Sequence, residues 1–278
     1  MDKLLFGTAG IPLSTQPRNT ENGIAQIKTL GLDSLELEFV QNVNISEEKA
    51  PLIKQTAEKN NVVLTCHGSY FINLNAVDKE KIEASKKRIL HAARVLKMCG
   101  GWSQCFHSAF YLKSSKEETY RTVKKALGEI VETMKAENNR VWIRPETAGK
   151  HSQFGNLDEL LQLCSEVDQT MPCIDFSHMR AYSLGKINNY DEYSKVLNKV
   201  ETTLGKTALK NMHMHIQGIK YGETGERSHL EIKDDPEWKY SDLMKALKDY
   251  KCCGVVTCES PNLETDALIL KKTFEKLA

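Results

Sequence analysis

Six residues of metal-ligating type recur at intervals close to one strand–helix unit: His67, His107, Glu146, Asp175, His215 and Glu259. The gaps between them are 40, 39, 29, 40 and 44 residues. Each ends or follows a short apolar run, as in VVLTCH, SQCFH, VWIRPE, CID, MHMH and VVTCE. One histidine or carboxylate at a strand end is commonly a packing or capping residue. Six at successive strand ends describe a common rim. Imidazoles and carboxylates without clustered thiolates suit zinc, with manganese or iron as alternatives. Six exceeds the four ligands of an ordinary zinc site, so a carboxylate shared by two ions would use them economically. Ion pairs about 3.5–4 Å apart activate water and clamp an in-line displacement at phosphorus.

Side-chain parity agrees with this arrangement. If His107 points into a barrel, Cys105 does too, and Phe106 faces outward. If Asp175 points inward, Cys173 follows it. If Glu259 points inward, Cys258 packs outward. Small thiols beneath the ligands leave room for the site. In Met212-His213-Met214-His215, His215 lies nearer the strand end and is the better ligand. His213 then sits one layer deeper, supporting a ligand or held as a buried polar residue.

Two more histidines extend the set toward a third ion: His178 in CIDFSHMRAY and His229 in GETGERSHLEI. Taken alone, His229 reads better as a solvated loop residue. His91 falls in mid-helix and His151 after a Gly-Lys turn, and neither joins the pattern. Tyr70 and Phe71 follow His67 by three and four residues, close to the rim but too apolar to hold metal. They read either as exposed recognition residues or as a loop folding its own aromatics onto the protein.

Positioning such a rim requires strands whose ends all face one way. Eight β-rich runs are present: 4–8, 34–39, 62–67, 103–107, 141–146, 173–175, 212–216 and 255–259. Amphipathic helical patterns separate them, with Gly31, Gly100-Gly101 and Gly254 preceding strands. Eight alternations without a linker predict the α/β class, as a single (β/α)8 TIM barrel occupying residues 1–278 as one domain. A doubly wound sheet is the competing architecture. No internal sequence repeat is visible.

Bulk composition fits an ordinary globular protein: 278 residues, 40% hydrophobic and 27% charged. A formal net charge of +1 provides no global basic excess for nucleic acid, leaving local patches as the route to such a partner. The start, MDKLLFGTAG, has neither a signal-peptide core nor a membrane span, so a cytoplasmic protein with no membrane partner is expected. None of the eight cysteines forms a CxxC pair, which argues against a zinc ribbon or a thioredoxin-type motif. They read as reduced, small apolar residues of the core.

Taken together, HGSYFINL at His67, CFHS at His107, PETAGK at Glu146, CIDFSH at Asp175 and His178, MHIQGIK at His215 and CESP at Glu259 resemble the endonuclease IV family of abasic-site endonucleases. The resemblance runs nearly end to end. It implies a TIM barrel with three zinc ions. His67, His107 and Glu146 would hold the first. Glu146 would bridge to a second, held also by Asp175, His215 and Glu259, and His178 and His229 would hold the third. The implied reaction is hydrolysis of the phosphodiester 5′ to an abasic site in double-stranded DNA, by a monomer, with Glu146 and Glu259 as catalytic residues. Tyr70 and Phe71 match the family's DNA-entering pair, and wedging between bases is a known way to hold an extruded nucleotide.

The chain departs from that family at three places. Two residues before His229, where the family carries an aspartate, stands Arg227. Glu226, one residue earlier, is the carboxylate within reach. FVQNVNIS replaces the family's FTKN-plus-arginine segment, and FGTAGIP replaces a GAHVS-like loop. The metal ligands are therefore matched more closely than the DNA-reading loops. A second enzymatic reading is a xylose isomerase-like sugar isomerase or epimerase. It would use Glu146, Asp175, His215 and Glu259 on one divalent ion, with His67 and His107 toward the sugar. His178 and His229 discriminate, because a mononuclear isomerase does not need them. A third reading is a barrel that only binds nucleic acid or a protein partner, for which so full a set of hydrolytic ligands has no use.

Overall fold

In Ser34–Glu38 the alternation of leucine and glutamate divides the two faces of a strand. Leu35 and Leu37 join the apolar layer under the helices, while Glu36 turns inward and reaches His213 and His215. The same alternation runs through eight parallel strands: β1 (Leu4–Ala9), β2 (Ser34–Glu38), β3 (Val63–His67), β4 (Ser103–Phe106), β5 (Trp142–Pro145), β6 (Cys173–Asp175), β7 (Met212–Ile216) and β8 (Gly254–Cys258). The computed structural model describes residues 1–277. Its strands pair in the order β5-β4-β3-β2-β1-β8-β7-β6. Bridges from Ile143 to Thr170 and from Glu146 to Cys173 bring β5 against β6 and close the barrel. The expected (β/α)8 barrel is therefore the fold, and the doubly wound alternative is excluded.

Helices cover the outside for local reasons. The helix Lys116–Ala136 begins at a capping box in which Ser115 and Glu118 satisfy each other's backbone N–H groups. It then buries Val123, Leu127, Ile130 and Met134 along one stripe. Each such side chain stabilises the packed state by about 1.5–3 kcal/mol. Leu157–Glu166 starts on an equivalent box of Asn156 and Glu159.

Three features depart from the sequence expectation. His107, Glu146 and Glu259 sit one residue past their strands, on the loops that form the rim. A seven-residue helix, Phe176–Tyr182, begins immediately after β6. After β7, a two-stranded ribbon pairs Gly218–Gly222 with Gly225–Leu230. Among the described residues no helix is long and apolar enough to cross a membrane. All eight cysteines are free and buried.

Candidate metal centre

Glu146 lies at the middle of the rim, 1% exposed, with imidazoles around it. Its Oε2 is 3.2 Å from His67 Nε2 and 3.8 Å from His107 Nε2, and its Oε1 is 3.2 Å from His178 Nδ1 and from His215 Nδ1. His67 Nδ1 is 2.7 Å from the Gly68 carbonyl. A proton on Nδ1 serves that contact and leaves Nε2 for the site. Glu146, Asp175, His215 and Glu259 offer ligand atoms that all lie within 4.8 Å of one another, and so do His107, Glu146 and His178.

Asp175 does two jobs at the β6 end. Its Oδ1 accepts from the His178 backbone N–H at 2.6 Å, capping the helix Phe176–Tyr182 and fixing where His178 emerges. Its Oδ2 accepts from Gln217 Nε2 at 2.8 Å and stands 3.2 Å from His178 Nδ1. The strand-to-helix transition therefore converts a three-residue spacing into adjacency within the site.

The ribbon brings the last two groups. Glu226 Oε2 is 3.5 Å from His178 Nε2, and Glu226 Oε1 is 3.6 Å from His229 Nε2. His229 Nδ1 lies 3.2 Å from the Glu259 carbonyl, which directs Nε2 toward Glu226. The ribbon tip is seated by the Glu226 N–H donating to the Gly149 carbonyl at 2.8 Å. Gly149 itself must lack a side chain, since a Cβ there would stand 2.8 Å from Glu226 and 3.0 Å from the His178 ring. His178, His229 and Glu226 thus form a trio beside the Glu146 cluster, with a glutamate near the place where the resembled family carries aspartate.

The electrostatics fit a site built for cations. Burial opposes charge on Glu146, yet His107, His215 and His178 hold its carboxyl well below the usual carboxylate range. Burial likewise opposes charge on His67, but the Glu146 carboxylate pushes it up to about 10. Burial takes His107 down to about 4 and raises Asp175 to about 6. His107 Nδ1 is buried with no hydrogen-bond partner. A mixed imidazole–carboxylate donor set with an orphaned ring nitrogen suits borderline divalent ions.

Two carboxylates in the barrel escaped the sequence reading. Glu36, beneath the rim, lies 2.9 Å from the Nε2 atoms of both His213 and His215 and accepts from Thr65 Oγ1 at 2.7 Å. Glu38 pairs in register with His67. Burial, with Glu36 beside it, raises its carboxyl to about 8. The alternation SLELEF was the available signal.

A cavity of about 290 Å³ opens above these groups, walled by Tyr70, Phe110, Lys150 and Gln153 as well as the ligand-type residues. Tyr70 and Phe71 are 60% and 59% exposed. Tyr70 leans on His67 with ring centroids 5.7 Å apart, and Arg88 lies 5.9 Å from the Phe71 centroid. Both aromatics therefore stand at the surface instead of folding back into the core. Of the basic residues near the rim, Lys220 and Arg227 are exposed and Lys150 is partly so. Arg180 is different: it is 2% exposed and bound by Asp235 through two hydrogen bonds of 2.6 and 3.1 Å. It is a structural clamp with no reach to phosphate.

A family model for the xylose isomerase-like TIM barrel matches residues 24–277. The chain belongs to that family. An uncharacterized protein of Methanocaldococcus jannaschii is 44% identical over 99% of this chain and 98% of its own length. A probable endonuclease 4 of Aquifex aeolicus is 26% identical over 80% of each chain. Among solved structures, a D-tagatose 3-epimerase-like protein superposes with a TM-score of 0.73 at 17% identity, covering 92% of this chain and 91% of that one. Endonuclease IV of Thermus thermophilus gives 0.68 at 16%, covering 96% and 97%. Likeness at that level establishes the barrel, and both activities occur on it.

Proposed function

We propose that this chain is a metal-dependent phosphodiesterase that cuts double-stranded DNA on the 5′ side of abasic sites, using a centre of two or three divalent ions, zinc first among them. The carrying observation is the trio His178, Glu226 and His229 beside the Glu146 cluster, because one ion has no use for so many donors. In this reading Glu146 is shared between ions, His67 and His107 complete one position, and Asp175, His215 and Glu259 complete the next. When bound, the ions supply Lewis acidity to the phosphate oxygens and lower the pKa of the attacking water.

The chain's own residues supply the rest. Glu259, 3.4 Å from His215 and on the cavity wall, orients the nucleophile. Tyr70 and Phe71 enter the duplex at the lesion. Lys150, Lys220 and Arg227 meet phosphates, so binding weakens with salt. Purified protein loaded with zinc should nick a duplex containing one abasic site and leave intact duplex alone.

A second reading rests on the compact quartet of Glu146, Asp175, His215 and Glu259 and on a cavity of monosaccharide size. It makes the chain a mononuclear sugar isomerase or epimerase. Interconversion of ketoses by the same sample, without nicking, would favour it.

A further inference from the structure

Below the rim, the barrel interior holds a second group of donors. Cys105, Cys173, His213 and His215 are each 0% exposed, and their ligand atoms lie within 4.8 Å of one another. We propose that these four side chains form a separate tetrahedral metal site of the zinc class, buried one layer beneath the rim. Two thiolates and two imidazoles are a set that selects zinc or a similar ion. Bonds of about 2.0–2.3 Å imply neighbouring donors on the order of 3.3–3.8 Å apart. The Cys105 Sγ to His215 Nε2 distance is 3.5 Å.

Unsatisfied polar atoms point to the same place. His213 Nε2 and Glu36 Oε1 are buried without a hydrogen-bond partner. The His213 and His215 Nε2 atoms each stand 2.9 Å from a Glu36 oxygen, yet neither contact has hydrogen-bond alignment. Orphaned buried groups are costly unless something else satisfies them, and a cation among them would. His213 is prepared for this. Its Nδ1 is 3.1 Å from Ser103 Oγ, whose second lone pair takes Arg144 Nε at 2.6 Å. A proton on Nδ1 then leaves the Nε2 lone pair free to bind.

Charge also balances. Arg144 is fully buried, and its donors go to Ser103, Pro172 and Asn211, all neutral acceptors. Cys105 is its register partner on the next strand. Metal binding would release the protons of Cys105 and Cys173, giving two thiolates to one divalent ion, with Glu36 and Arg144 offsetting each other. His215 presents Nδ1 to the rim and Nε2 to this interior site. With both ions present it also loses the Nε2 proton and bridges them.

Cys105 also lies within 4.8 Å of the rim donors His67 and Glu146, whereas Cys173 groups with no rim residue but the shared His215, so ligation by two sulfurs isolates the inner site. Protein expressed in zinc-supplemented medium should give a sulfur scattering distance of about 2.3 Å by X-ray absorption. Protein expressed with cobalt should show thiolate-to-metal charge-transfer absorption. That band should vanish in Cys105→Ala/Cys173→Ala, with the loss of one ion per chain, and persist in His107→Ala. If the double variant does not fold, the wild-type signal still decides, because two sulfurs on one ion require Cys173 beside Cys105. Metal-replete protein with only nitrogen and oxygen scatterers would overturn the proposal, as would a charge-transfer band that survives in the double variant.

Discussion

Replacing Glu146 by Gln tests how far one carboxylate organises the rim. Glu146 meets three imidazoles at 3.2 Å and a fourth at 3.8 Å in a fully buried setting. Breaking a buried, hydrogen-bonded charge pair costs about 3–5 kcal/mol, so metal-free protein should lose that much stability near pH 6. The sign follows from His67, which Glu146 holds at about 10 against burial. A raised histidine pKa contributes stability that is complete below its unfolded value, about 6.5, and is lost as pH rises through 10. The difference between Glu146→Gln and wild type should therefore shrink in alkaline denaturant titrations. On the proposed reading, loaded protein loses a ligand shared by two ions. Metal content should fall by at least one ion per chain, and nicking by roughly 10³-fold, about 4 kcal/mol of transition-state stabilisation. Wild-type metal content together with near-normal turnover would refute the shared-ligand reasoning.

Three further outcomes are expected. Glu38 has a folded pKa of about 8, so its contribution is present below its unfolded value, about 4.3, and lost as pH rises through 8. Glu38→Gln should stabilise metal-free protein by on the order of 3 kcal/mol at pH 8 and by little at pH 4, read from urea melts. Asp235 also accepts the Ile219 N–H at 2.9 Å while binding Arg180. Asp235→Ala should cost about 3–5 kcal/mol and lower occupancy of the His178–Glu226–His229 position, measured by metal analysis. Changing both Tyr70 and Phe71 to Ala should leave stability within about 0.5 kcal/mol because both are exposed. Binding to an abasic duplex should weaken by about 1–3 kcal/mol per lost base contact.

The rim was legible in sequence because strand parity and strand ends are local properties. His67, His107, Glu146, Asp175, His215 and Glu259 each follow an apolar run, and the barrel then gathers them. His178 was legible as a neighbour of Asp175, but not the capped helix that aims it. Glu36 and Glu38 lie in the alternating run 34–39 before its end, outside the strand-end positions, although the same alternation turns Glu36 inward. The clamp on Arg180 was not legible, because its partner Asp235 lies 55 residues away and no local pattern joins them. The closeness of Glu226 to His178 and His229 depends on the ribbon tip resting on Gly149, a contact between distant loops.

A multi-ion centre that cuts DNA is tested by the strand break it leaves. Zinc-loaded protein is incubated at low salt with a duplex bearing a single abasic site, and the cleaved strand is mapped. A single cut 5′ to the lesion is expected, abolished by chelation and restored by added metal. An intact strand, from a sample that holds one ion per chain and interconverts a ketose with its epimer, would contradict it.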